Sequence, residues 1–348
     1  MVTQVDSFMT GKFAEIDLPV HYLEGTMVVQ ASNRLSVNEA ICFKKTCRDL
    51  IESNLDSKVL LIDLNNTNFM DSSGLGALVS SFKSAQEKEI EFILDNVTPQ
   101  VMAVLNLTGL DQVFIIKSSV TNKTSELTNS GNSRGSNCRL EDLPATHPCV
   151  KSRMKRIIDI VGSLVGLVIT ACLLIPIGIA ISINDPGPIF FRQIRCGWMG
   201  KRFYIWKFRS MCVDAEAKKS QVKNQVAGAF FKNDHDPRIT KVGRFLRRTS
   251  LDELPQFWNV LKGEMSLVGT RPPTPDEVEL YEVPEWQRLD VKPGMTGEWQ
   301  VNGRSKVRNF EDVIRLDLQY QKNWSLVYDL QLIVKTISIL FNKNSGAV

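Results

Sequence analysis

Asp252 and Glu253 stand side by side in RRTSLDELPQFWNVLKGEMSLVGTRPP, residues 247–273, with Arg247 and Arg248 before them and Arg271 after. Acids in the first turn of a helix are favoured by its dipole, so a solvated helix start would account for either carboxylate. It would not account for arginines on both sides. A carboxylate among arginines makes sense when the third member is a phosphate, because guanidinium groups grip phosphoryl oxygens bidentately. A carboxylate can also attack phosphorus, giving an acyl phosphate and splitting one transfer into two steps. Two anions brought together need neutralising charge, which Mg2+ bridging Asp252 and a phosphate would supply. No Gly-x-x-x-x-Gly-Lys stretch is present, which argues against a P-loop. The residues alone predict phosphoryl transfer, with Asp252 as the metal-binding carboxylate.

The elements around this pair point to a membrane surface. Ser250 is placed to cap a helix opening at Leu251, and apolar residues recur at Leu254, Phe257, Trp258, Val260 and Leu261. Such a face could lie on a bilayer. Upstream, KRFYIWKFRSM alternates basic and aromatic residues. That mixture suits lipid headgroups and would also suit nucleic acid. The neighbouring segment chooses between them: residues 160–183, IVGSLVGLVITACLLIPIGIAISI, hold no charge. As a helix this segment would run roughly 36 Å, against a hydrocarbon core of about 30 Å. Lys151, Arg153, Lys155 and Arg156 precede it, and Arg192, Arg195, Lys201 and Arg202 follow. Basic flanks stay cytoplasmic. Pro176 removes one helical hydrogen bond inside the segment, so a bend there would let both flanks remain on one face. Asp159 at the mouth of the segment has two readings, an ion pair with Lys155 or Arg156 and a solvated acid.

At 348 residues the chain has room for two domains, and a net charge of +4 without a long basic run gives no nucleic-acid tail. The N-terminus lacks the apolar core of a signal peptide. The cysteines at 42, 47, 138, 149, 172, 196 and 212 show no Cys-x-x-Cys spacing, which argues for reduced thiols and against a zinc site. Residues 118–150, rich in Ser, Thr and Asn, read as a linker between an N-terminal domain at 8–117 and a membrane part at 151–348. The N-terminal text alternates strands (GTMVVQAS, KVLLIDLNN, EIEFILDNV) with helices. The helices are SVNEAICFKKTCRDLIESN, SGLGALVSSFKSAQEKE and TPQVMAVLNLTGL, the first opened by Ser36 with Glu39 three residues on. This pattern predicts an α/β sandwich.

Between strand and helix, NFMDSSGLGAL sets Asp71, Ser72 and Ser73 at a helix start, as caps with an exposed hydroxyl. Here the sequence resembles the STAS family, over roughly residues 8–117. That resemblance implies Ser73 as a phosphorylatable serine, with a partner protein or kinase. From about residue 151 onward the chain closely resembles the bacterial sugar transferase family, monotopic polyprenyl-phosphate phosphoglycosyl transferases. The motifs are KRIIDI, FFRQIRCG, WKFRSM, RITKVGRFLRRTSLDELPQFWNVLKGEMSLVGTRP and VKPGMTGEWQVNGRS. The resemblance implies a mainly α membrane domain with one re-entrant helix at about 157–184, broken at Pro176. It also implies a UDP-sugar donor, an undecaprenyl phosphate acceptor, Mg2+, possible homodimerisation and a site on the cytoplasmic face of the bacterial inner membrane. Carried over by motif, Asp252 is the nucleophile and Glu253 its partner. Arg247, Arg271 and Arg209 hold phosphate, Arg304 faces the nucleotide, and Asp317 is a further site candidate against a plain helical acid. Thr270, Glu298 and Ile175 depart from the family's usual residues. The rival expectation is a membrane-tethered STAS regulator whose C-terminal part is an inactive anchor. One apolar segment cannot build a transport path, which leaves out an anion transporter.

Overall fold

A computed structural model of the chain describes residues 17–23, 25–53, 57–117, 146–218, 222, 233, 236–302 and 310–341. Most of the expected linker, and Arg304 with it, lies outside the described residues. The chain divides into two units at Pro144/Ala145, with Glu282–Gln287 grouped with the first.

The first unit is an α/β fold. Its strands are β1 (Val20–Leu23), β2 (Thr26–Gln30), β3 (Arg34–Leu35), β4 (Val59–Asp63), β5 (Phe69–Met70), β6 (Glu91–Asp95) and β7 (Ile115–Lys117). Its helices are α1 (Val37–Ser53), α2 (Ser72–Glu87) and α3 (Pro99–Thr108). The main sheet runs β1-β2-β4-β6-β7, antiparallel only at β1/β2. Every second residue of β2 and β4 is buried (Met27, Val29, Leu60, Ile62), as a sheet with one packed face requires. The buried stripe of α1, Ala40, Phe43, Cys47 and Leu50, follows the helical period of 3.6. Ser36 at the mouth of α1 donates its hydroxyl to Glu39.

Ser73 departs from the sequence expectation of an exposed hydroxyl. It is fully buried, and its Oγ has no hydrogen-bond partner. The cause is β3, which crosses the start of α2: Asp71 N–H donates to the Leu35 carbonyl at 3.3 Å. A β-carbon on Gly74 would stand 2.2 Å from that same carbonyl oxygen, so only glycine fits beneath the crossing. Asp71 caps the helix, accepting from Ser73 N and Gly74 N at 2.9 and 3.0 Å.

The second unit is mainly helical. After α4 (Pro148–Lys151) comes α5 (Arg153–Asn184), then β8 (Phe190–Cys196), β9 (Arg202–Phe208), α6 (Lys241–Arg248) and α7 (Phe257–Lys262). The remainder is β10 (Ser266–Val268), α8 (Pro275–Glu279), β11 (Gly294–Thr296), α9 (Glu298–Asn302), α10 (Phe310–Lys322) and α11 (Leu326–Phe341). Strands β8 and β9 form an antiparallel hairpin, and β10 and β11 a short parallel pair.

At 32 residues, α5 is continuous through Pro176, about 48 Å of helix at the usual rise. The backbone stays helical through Pro176, so a bend at the proline is taken up within the helix and not by a break in it. One stripe, including Lys155, Asp159, Ser163, Gly166, Thr170, Ile177 and Ile181, is buried against the unit; the opposite stripe is exposed and apolar. Both ends are tied down. Arg156 donates to the last carbonyls of α7, Val260 and Leu261, at 2.7 and 2.6 Å. At the other end Val242 N–H donates to the Asn184 side chain at 2.9 Å. Asp159 takes neither of its expected partners and is not solvated. It accepts from Ser266 Oγ and Leu267 N at 2.9 and 2.8 Å, while Lys155 pairs with Asp329 at 2.6 Å. Helix α11 buries Leu332 and leaves Val327, Leu330, Val334 and Ile337 exposed, so it both packs on the unit and presents an apolar face.

Candidate active site

Helix α6 ends at Arg248, and the chain turns sharply at Ser250, which adopts left-handed geometry (φ 55°). A non-glycine residue in that region is uncommon and marks a forced turn. The sequence predicts a helix capped by Ser250; instead a 3-10 turn spans Leu251–Gln256, with no side-chain cap. Pro255 explains the difference in part, since it brings no N–H to an α-helical bond. The turn packs on β9 and buries Asp252, 6% exposed, while Glu253 reaches Lys207 of β9 at 2.8 Å.

Arg247 joins them. Its Nε donates to Ser210 Oγ at 2.9 Å. Burial pulls its guanidinium below the ordinary arginine range, and the charges of Asp252, Asp236 and Glu253 pull the other way. Behind it Asp236 and Arg238 form a forked pair at 2.7 to 3.2 Å.

Arg271 is held by both oxygens of Glu277 at 2.7 and 3.1 Å, and Glu277 closes a capping box with Thr274 at the start of α8. Beside it lies Arg195 of β8, which donates to the Pro272 carbonyl (3.0 Å) and the Gln193 side chain (2.8 Å). Burial, then the neighbouring charge of Arg271, pushes Arg195 down to about 10.

Two expected site residues are engaged by other side chains of the unit. Arg209 is taken up by Asp185 just beyond α5, through its backbone carbonyl and, at 3.7 Å, its carboxylate. It pins the end of that helix to β9. Asp317 is fully buried and grips Arg288 at 2.6 and 2.9 Å. Arg288 in turn donates to the Tyr281 hydroxyl and, at 3.5 Å, to the Arg271 carbonyl. The pair therefore supports the backbone that carries Arg271. Two of the departures from family residues are also accommodated: Thr270 donates to the Arg288 carbonyl at 3.1 Å, and Glu298 is buried on Tyr328 and Asn302.

A cavity of about 550 Å³ opens between α5, α11 and the 3-10 turn, floored by β10 and β11. Its walls are aliphatic, and Arg195, Lys207, Glu253 and Arg271 gather among its lining. Gly166 lets α5 approach α7 closely: a β-carbon there would lie 2.4 Å from the Phe257 ring. Arg195 and Lys207 are site residues that sequence reasoning missed. The basic–aromatic setting of Lys207 read as lipid-facing and Arg195 read as a basic flank of the apolar segment, whereas hairpin register turns these two into the cavity.

The profile of the bacterial sugar transferase family matches residues 150–343, and that of the STAS domain matches residues 17–123. Galactosyl transferase CpsE of Streptococcus agalactiae serotype III is 49% identical over 53% of this chain and 42% of its own length. Undecaprenyl-phosphate galactose phosphotransferase of Salmonella typhimurium is 42% identical over 56% of this chain and 41% of its own. The chain thus spans less than half the length of these relatives. Among solved structures, an anti-sigma-factor antagonist (STAS) domain protein from Planctomyces limnophilus is 26% identical over 30% of this chain and 91% of its own, with a TM-score of 0.27. With its family region filling residues 150–343 behind a STAS domain, the chain belongs to the bacterial sugar transferase family.

Proposed function

We propose that the second unit transfers a sugar 1-phosphate from a UDP-sugar to polyprenyl (undecaprenyl) phosphate, with Asp252 as the nucleophile, so starting a glycan or exopolysaccharide. The observation that carries this reading is a buried carboxylate beside Arg247, next in sequence to the Glu253–Lys207 pair on an amphipathic cavity. In the first step an Asp252 oxygen bonds to the β-phosphorus of the donor. The bond from that phosphorus to the bridging oxygen breaks, and UMP leaves with the electron pair. In the second step an oxygen of the acceptor phosphate bonds to the same phosphorus. The acyl-phosphate bond breaks, the carboxylate is restored, and the product is a polyprenyl diphosphate sugar. Arg247 and Arg271 hold phosphoryl oxygens through these steps, Lys207 orients Glu253, and Arg304 serves the nucleotide.

The site suits a magnesium ion shared with substrate. Among the described residues no three His, Cys, Asp or Glu side chains gather into a protein cage, and magnesium is ordinarily held by one or two carboxylates plus substrate phosphates. Asp252 would hold it, and when bound it neutralises charge between carboxylate and diphosphate.

The membrane reading rests on α5. It is long and apolar enough to enter a bilayer, yet both its ends bond to the same unit. A through-span would carry one of those ends to the far side of the bilayer, whereas a helix embedded from one side leaves both on the cytoplasmic face. The STAS domain supplies regulation through a partner protein.

The test uses the full chain in nanodiscs with Mg2+ and a panel of UDP-sugars. Expected are UMP release and a phosphosugar adduct on Asp252, both lost in Asp252→Asn while membrane association persists. Turnover retained by Asp252→Asn would overturn the assignment. A wild type silent with every donor, yet still membrane-bound, would favour the tethered regulator.

A further inference from the structure

Building on the transfer reading, we infer that the cavity between α5 and α11 seats the lipid acceptor, its isoprenoid chain along the two helices and its phosphate on Arg195. The first argument is chemical shape. Val165 and Ile169 of α5 face Ile333, Ile337 and Leu340 of α11 across a cavity that also holds Arg195, Lys207 and Arg271. An amphiphile with a branched hydrocarbon tail and a small anionic head matches both parts. A nucleotide sugar fits the polar end, where Ser250, Gln256 and Gln300 also stand, but has no apolar part to lay along Val165, Ile169, Ile333, Ile337 and Leu340.

The second argument is charge accounting. Lys207 is offset by Glu253 and Arg271 by Glu277. Among the described residues Arg195 hydrogen-bonds to a carbonyl and an amide oxygen, and no carboxylate comes within salt-bridge distance of it, the charges of Glu277 and Glu253 acting only from farther off. Its Nε is buried without a hydrogen-bond partner. A buried donor with no acceptor is rare and calls for an explanation. A phosphate oxygen would satisfy both the donor and the uncompensated charge. The third argument is access and alignment. The exposed apolar stripes of α5 and α11 let a tail enter from the hydrocarbon. Glu253 lines the same cavity as Arg195 and is the sequence neighbour of Asp252, so a phosphate on Arg195 shares a cavity with the carboxylate next to the proposed nucleophile.

The experiment labels the full chain in nanodiscs with a benzophenone-tailed farnesyl phosphate. Cross-links are expected on residues 165–169 and 333–340. They should weaken roughly tenfold or more in Arg195→Gln, as loss of a charge-assisted phosphate contact requires, and recover in part in Arg195→Lys. Ile337→Trp, which fills the tail end, is expected to cut labelling without touching the charge. UDP-sugar should not displace the probe. Labelling that UDP-sugar displaces, labelling elsewhere, or equal labelling of Arg195→Gln and wild type would overturn the inference. In turnover, Arg195→Gln should raise the acceptor KM while adduct still forms on Asp252 in acceptor-free medium. Loss of that adduct would move Arg195 to the donor side and overturn the assignment. Labelling needs no turnover, so a wild type that labels as expected but transfers nothing counts against the transfer reading alone.

Discussion

The two units bury different things. Among the described residues, the first hides apolar side chains and a few hydroxyls, with Asp71 its buried acid; the second hides Lys155, Asp159, Arg209, Asp236, Arg238, Asp252, Glu277, Arg288, Asp290, Glu298, Asp317 and Asp329. A charge taken out of water is tolerated only when paired and hydrogen-bonded. In the second unit most of these charges are paired, and the pairs hold the site: Arg288–Asp317 behind Arg271, Arg209–Asp185 at the end of α5, Arg271–Glu277 at the cavity. Among the described residues the first unit shows no such lattice and no catalytic constellation.

The sharpest way to break that contrast is the Arg288–Asp317 pair. Arg288→Met strands a buried carboxylate and should lower stability by about 3–5 kcal/mol, measured by denaturant unfolding of the second unit. Asp317→Leu added to it should recover much of the loss. A double variant as unstable as the single would mean that packing, not charge, holds this region.

A smaller effect is expected where the first unit buries its own acid. Burial, opposed by the bonds from Gly74 and Ser73, raises Asp71 from 3.8 to about 6. The folded state then binds a proton more tightly than the unfolded chain. The stability of this unit is greatest below the unfolded value of 3.8 and falls as pH rises through about 6. Hydrogen exchange of α2 should therefore quicken between pH 4 and 7 beyond the intrinsic base-catalysed rise, and Asp71→Asn should flatten that excess. A flat profile in the wild type would remove Asp71 as a burdened charge. The least effect belongs to Ser73→Ala. Removing a buried hydroxyl without a partner should change stability by about 1 kcal/mol or less and leave nucleotide release unchanged. A large loss of turnover would tie the two units together through this residue.

Much of this contrast is legible in the sequence. Alternating β2 and β4, the 3.6-residue stripe of α1, the uncharged α5 and the Asp252–Glu253 pair declare themselves through local pattern. What escapes is pairing over distance. Arg209 looks available until Asp185, 24 residues earlier, claims it, and Asp317 looks like a helical acid until Arg288, 29 residues earlier, does the same. Ser73 looks exposed because nothing near it announces that β3 crosses above. Arg195 looks like one basic flank residue among several, because strand register is fixed by a partner strand and not by the strand's own text.

The double tethering of α5 bears on how such a chain would reach the bilayer. On the proposed one-sided embedding, no hydrophilic segment is carried across. A charge moved across the membrane exchanges about 2.3 kcal/mol per 100 mV with the potential, and the proposed embedding moves none. Insertion should accordingly proceed in de-energised vesicles as readily as in energised ones, because the bilayer's voltage has no charge to pull.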